Sequence, residues 1–366
     1  MEYTIILIYA IMKKLATVLV LALSVGCAYA QTSLSKSEAK ELNVFLNMPA
    51  AKGGNNAEAL NMRGNNPASC PGVKVENGHV TEIDWKGHDL SGTLNLSAFP
   101  NLQRIDVSNN KISAVIVSNN PSLVVLNASR NDLTDVQIDG CAALKELRLN
   151  RNRLSSINLQ GTPLLTVLNV ASNFMAELNI SNAVNLKTLN CMDNHIQTLD
   201  VTMCQNLKNL YAGYNDISQL ELGGLSSLEN LNLTSNRLQK MYLQNLPSLQ
   251  TVFVSDNHMT QFAAVNCTNL LDIYAAYNDL TAFSVENCNN LADVNLAWND
   301  LTTLDLSNQN FLQRVNVANN QLITLDVTFD PMLRSLNLAG NNTLSDLRTQ
   351  GDTALRQVVG VWDSWE

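Results

Sequence analysis

The stretch L-K-E-L-R-L-N-R-N-R-L-S-S-I-N-L, residues 144–159, decides the fold. Leu147 and Leu149 alternate with polar residues, as on a strand with one buried face, and Asn152 follows Leu149 after two intervening positions. Leu154, Ile157 and Leu159 then form a second apolar set. The frame L-x-x-L-x-L-x-x-N-x-L-x-x-L-x-L returns at one fixed interval, with its asparagine at Asn110, Asn131, Asn152, Asn173, Asn194, Asn215, Asn236, Asn257, Asn278, Asn299, Asn320 and Asn341. One coil of that length encloses no core. Stacked coils bury a continuous apolar column and pair their strands in a parallel sheet. The repeated asparagine is therefore structural: it turns the chain inward, and its amide can satisfy backbone groups that stacking would bury without partners.

The span from one asparagine to the next leaves no room for a helix of several turns on the return side, so short strands or extended chain are expected there. At a strand spacing of about 4.8 Å, twelve rungs make a sheet roughly 55 to 60 Å long.

The pattern resembles the leucine-rich repeat family over residues 80–350. The resemblance implies a right-handed superhelical solenoid with a parallel sheet on its concave face, short strands or extended segments on the convex face, and an α-helical N-terminal cap. It looks most like the short-repeat bacterial surface proteins of the internalin-like group, which implies adhesion, or recognition of host or neighbouring-cell ligands. It departs from the internalin J-like pattern, where cysteine recurs at the strand position held here by Cys191 and elsewhere by Val, Leu or Ala. It also lacks a wall-anchoring tail.

The chain has 366 residues, 46% of them hydrophobic and 15% charged, with a net charge of −9. An acidic chain without a basic stripe argues against nucleic acid and anionic membranes as partners. Residues 1–30 read as a signal peptide: Lys13 and Lys14, an apolar run from Leu15 to Ala22, and Ala28-Tyr29-Ala30 before a cleavage point at Gln31. Residues 1–11 fit a misassigned upstream start. The alternative is a lipid anchor at Cys27, after Gly26. Either reading predicts an exported protein, secreted or at the cell surface, with no transmembrane segment in the mature chain. Residues 31–79 are expected to cap the first rung, beginning with a short helix from about Ser35 to Leu46. Rung one is irregular, with His88 near the asparagine position. Residues 351–366 are expected to close the far end, where an extra residue, Asn342, shifts the frame and Leu355, Val358, Val361, Trp362 and Trp365 suggest a lid.

Cys141, Cys204, Cys267 and Cys288 share one repeat position and read as small buried fillers. A bridge between Cys267 and Cys288 is possible by distance, but parallel side-chain directions disfavour it. His79, His88, His195 and His258 do not cluster, and neither a metal-ligand spacing nor a cofactor motif is present.

The strand's outward column, four positions before each conserved asparagine, is mostly amide, as at Asn127, Asn169 and Asn190, but carries Tyr211, Phe253 and Tyr274. Immediately before the conserved asparagine stand Tyr214, Tyr277 and Trp298. All six aromatics fall on rungs six to ten, a composition suited to an extracellular protein or a glycan. The competing reading is lateral pairing that stabilises the sheet. Asp272 and Asp293 share another outward column on adjacent rungs, so like charges are expected roughly 5 Å apart. A bound cation or cationic partner would offset the repulsion; solvation would reduce it. The same pair is the one candidate for glycoside hydrolysis, but parallel side chains on a flat sheet do not flank a bond from two sides. The reading is therefore a binding protein, not an enzyme: adhesion or protein recognition first, glycan binding on the aromatic patch second.

Overall fold

A computed structural model describes residues 34–360. The signal peptide, the Cys27 anchor and the tail containing Val361, Trp362 and Trp365 lie outside them.

Fifteen strands form one long sheet, the concave face of the solenoid. Most are short, such as Glu146–Arg148 and Val167–Asn169, and they pair in parallel in a register that repeats from rung to rung, Leu147 opposite Leu168 and Leu189 opposite Leu210. The central residue of each points inward, giving buried Leu147, Leu168, Leu189, Leu210 and Leu231. At the N-terminal edge the order changes: β1 (Val73–Glu76), in the region expected to precede the rungs, runs antiparallel to β2 (His79–Asp84), which crosses the expected boundary into the first rung.

The asparagines bridge coils as their spacing suggests. Asn152 Nδ2 donates to the carbonyls of Leu149 (2.8 Å) and Ala128 (3.0 Å), and its Oδ1 accepts the N–H of Leu133 at 3.0 Å. Asn257 repeats this with Val254, Leu233 and Leu238. One side chain thus satisfies three backbone groups that stacking removes from water.

The convex side is strand in three separate patches. Ser91–Asn95, Lys111–Ile116 and Asp135–Gln137 form one; Lys240–Gln244, Gln261–Val265 and Ala282–Glu286 a second; Thr303–Asp305, Thr324–Asp326 and Asp346–Arg348 a third. Among the described residues, the four rungs around Asn152, Asn173, Asn194 and Asn215 carry no convex strand, only an isolated bridge between Glu177 and Thr198.

Helix α1 (Lys36–Leu46) lies against the first rung. Its Leu42 and Phe45 are buried, and Phe45 stacks on Trp85 with centroids 5.6 Å apart. Glu38, wholly buried, takes a hydrogen bond from Val80 N–H (2.9 Å) and meets His79 Nδ1 at 2.8 Å, tying helix to sheet.

Candidate binding face

Each rung turns off the long sheet through a residue with positive φ, immediately before the conserved asparagine. Asn109, Asp193, Asp256 and Asn319 occupy this position with φ between 56° and 60°, Ser172 and Ser235 with 55°, Gly340 with 81°, and the exposed Arg130 and Arg151 with 56° and 60°. Glycine and asparagine or aspartate tolerate the left-handed region because their side chains are absent or short, whereas the arginines do not share that ease. Tyr214 (57°), Tyr277 (55°) and Trp298 (58°) occupy it too, against their backbone preference. A bulky residue held there costs on the order of 1 kcal/mol. All three are more than half exposed, at 56%, 59% and 51%, so none repays that cost by burial in the core.

The six aromatics do not form one surface. Phe253 and Tyr274, on adjacent strands, stack with centroids 4.9 Å apart and planes 7° from parallel. Tyr277 and Trp298 stack at 5.8 Å and 9°. Tyr211 is separated from Phe253 by Asn232 on the strand between them and borders a different depression, with Arg148, Asn169 and Asn190, of about 400 Å³. Tyr214 stacks on neither pair. The patch therefore narrows to two stacks on rungs eight to ten. Lateral pairing is real, at about 0.5–1.5 kcal/mol per aromatic pair, and does not exclude a second role.

The carboxylate pair needs correction. Asp272 and Asp293 are register partners, as expected, but Asp293 is not left facing a like charge. Arg314, register partner of Asp293 on its other side, donates through Nε at 2.8 Å and also through Nη2 to Asp293 Oδ2. Tyr274 OH lies 3.4 Å from the same oxygen. Burial raises the Asp272 pKa, Asp293 adds to the rise, and Arg314 opposes it. Burial likewise raises that of Tyr274. Arg314 carries no local signal in the sequence, although its place in the Asp272–Asp293 column is readable there.

The histidines lie apart, His195 and His258 each beside its own acid: His195 is 4.0 Å from Asp216 and His258 is 3.8 Å from Asp279. The six described cysteines are buried and free, and burial pushes the Cys191 thiol up to about 12. No described helix is long and apolar enough to cross a membrane.

No protein-family model and no curated protein sequence matches the chain. Solved structures do. YopM from Yersinia enterocolitica superposes with a TM-score of 0.52 at 22% identity, over 80% of this chain and 67% of that one. The internalin InlF from Listeria monocytogenes gives 0.52 at 16%, over 78% and 91%. The fold is a leucine-rich repeat solenoid. A leucine-rich repeat protein from Leptospira interrogans gives 0.51 at 20%, over 67% and 74%. At these identities the likeness concerns the solenoid's architecture, and the aromatic stacks stand on this chain's own geometry.

Proposed function

We propose that this leucine-rich repeat solenoid is an exported binding protein that recognises a protein partner through its concave face, in adhesion or cell-surface recognition. The observation that carries the reading is the placement of Tyr277 and Trp298: large, exposed, and held in a backbone conformation that disfavours them. An exposed residue that violates local preference is a candidate for function, and Tyr277 and Trp298 differ from Arg130 and Arg151, which share that backbone, in being stacked aromatics. Aromatic anchors beside a polar field suit a protein interface.

The stacks favour protein over glycan. In each pair one ring face is turned to its neighbour, so much of the surface a sugar ring would cover is already occupied. Asp272, on the Tyr274 strand and facing Asp293 in register, with Arg314 engaged by Asp293, favours a partner presenting lysine or arginine around an apolar centre. Hydrolysis by Asp272 and Asp293 is disfavoured because the second carboxylate is clamped by a guanidinium rather than free to act on a substrate.

The test is a binding screen of residues 31–366 against arrays of extracellular proteins and glycans, beside a Tyr277→Ala, Trp298→Ala double variant. A protein hit weakened at least tenfold in the variant supports the reading. Protein hits bound equally by both forms would move the site elsewhere, and a glycan hit lost in the variant would replace the partner class.

A further inference from the structure

On the convex side, ten positions after each conserved asparagine, lies an inward-pointing column several of whose polar members donate to backbone, Gln309 being an exception. Asn120 Nδ2 donates to the Leu96 carbonyl at 3.0 Å and Cys141 Sγ to Val117 at 3.1 Å. Cys267 and Cys288 point to Leu243 (3.9 Å) and Ala264 (3.5 Å). In all four the acceptor stands at the same place in the preceding rung. Asp330 occupies the same column and is wholly buried, and the carbonyl at that place for it is that of Leu306, also buried.

An ionised Asp330 has nothing to donate there. Its Oδ1 is used, accepting the Gln309 N–H at 2.6 Å, while its Oδ2 is buried with no partner. The Leu306 carbonyl shows the matching defect. On five rungs the column residue's own N–H donates to a carbonyl just upstream in its own rung, as Cys141 N does to Ile138 at 3.2 Å and Cys204 N to Val201 at 2.9 Å, but Gln309 N has turned to Asp330. Among the described residues no backbone N–H reaches Leu306 O. Two buried acceptors lacking a donor, at register-equivalent positions where other rungs place a donor and acceptor, are both satisfied by one hydrogen; on the adjoining rungs Gln309 Oε1 and Asp352 Oδ2 are buried without partners as well.

We propose that Asp330 is retained as a neutral carboxylic acid whose Oδ2–H donates to the Leu306 carbonyl, a proton-held latch on the last rungs that opens on ionisation. Its charged surroundings point the same way. On the preceding rung it faces Asp305 and the uncharged Gln309, on its own rung Asp326, and on the following rung Asp352, whose Oδ1 accepts Asp330 N–H at 3.0 Å. The nearby cation, Arg348, is engaged by Asp346 and Asp326. Burial, reinforced by Asp352, Asp326 and Asp305 and opposed by the Gln309 N–H, pushes Asp330 up from 3.8 to about 8. A carboxyl raised on folding contributes stability that is complete below its unfolded value and lost as pH rises through the folded one. The stabilisation therefore declines from about pH 4 and is gone by about pH 8, where the latch proton leaves the folded chain.

Hydrogen exchange followed by mass spectrometry on the full chain, corrected for intrinsic rates, tests this at pH 6 and pH 9. Protection of peptides covering residues 303–359 is expected to fall about tenfold relative to those covering the first three rungs. Asp330→Asn, which keeps an oxygen for Gln309 and supplies an N–H for Leu306 as Asn120 does for Leu96, is expected to abolish that fall. Equal pH dependence in both forms would overturn the proposal. Infrared spectroscopy of the unmodified protein supplies a readout that does not depend on the variant folding. A protonated-carboxyl band present at pH 6 and bleached by pH 9 supports the latch, and its absence at pH 6 refutes it.

Discussion

Arg314 closes over Asp293 from the neighbouring strand, with Nε 2.8 Å from Oδ2, and so offsets the charge that Asp293 presents to Asp272 on the other side. Asp293 is nearly buried, whereas the Arg314 side chain is 67% exposed, so screening by solvent reduces the pair's worth. Arg314→Ala is expected to destabilise the protein by about 1–2 kcal/mol, since it leaves a desolvated carboxylate beside a second one. Because Arg314 opposes the rise in the Asp272 pKa, its removal raises that pKa further. A raised carboxyl favours the folded state at acid pH, so the loss should be smaller at pH 4 than at pH 7 in chemical denaturation.

Tyr214 offers a change that should improve stability. It carries the left-handed backbone of its column without a stacking partner. Tyr214→Asn is expected to stabilise the chain by about 0.5–1 kcal/mol, seen as a higher Tm, because asparagine adopts that conformation more readily. A Tm lowered by several degrees would show that Tyr214 contributes packing outweighing its backbone strain.

Asn257→Ala removes a side chain that serves Val254, Leu233 and Leu238. The expected cost is about 2–4 kcal/mol, from buried backbone groups left without partners. Local opening should be readable as faster amide exchange at Leu238, the donor that loses its acceptor.

Glu38→Ala should loosen the joint between helix α1 and the sheet by about 1–3 kcal/mol, since Val80 N–H loses its acceptor. Limited proteolysis within residues 47–55 should accelerate, while peptides from the central rungs keep their protection. Unchanged cleavage would mean that Phe45 on Trp85 holds the joint alone.

The rungs were legible because an amide recurring at one fixed interval phases every other position. Leu147 inward and Asn152 in the corner follow from that frame, as do buried Cys141 and Cys204. The site was legible only as columns. Phe253 and Tyr274 could be placed side by side from the repeat, but the positive φ beneath Tyr277 and Trp298 could not, because backbone preference argues against aromatic residues there. Arg314 escaped because its role lies in a long side chain reaching back one rung. The breaks in the convex strands escaped as well. Thr303-Leu304-Asp305 is paired strand, whereas Thr198-Leu199-Asp200 makes only the isolated bridge at Thr198, so identical local sequence leads to different pairing.

Those breaks leave the solenoid unevenly stiff. Between Gln137 and Lys240 the long sheet runs on without interruption, but the opposite wall lacks ladders that bending would have to stretch. Elastic deformation concentrates in that stretch, as in a spine with four unfused vertebrae. Changes in curvature there alter the distance between the first rungs and the aromatic stacks while leaving either end's internal geometry intact.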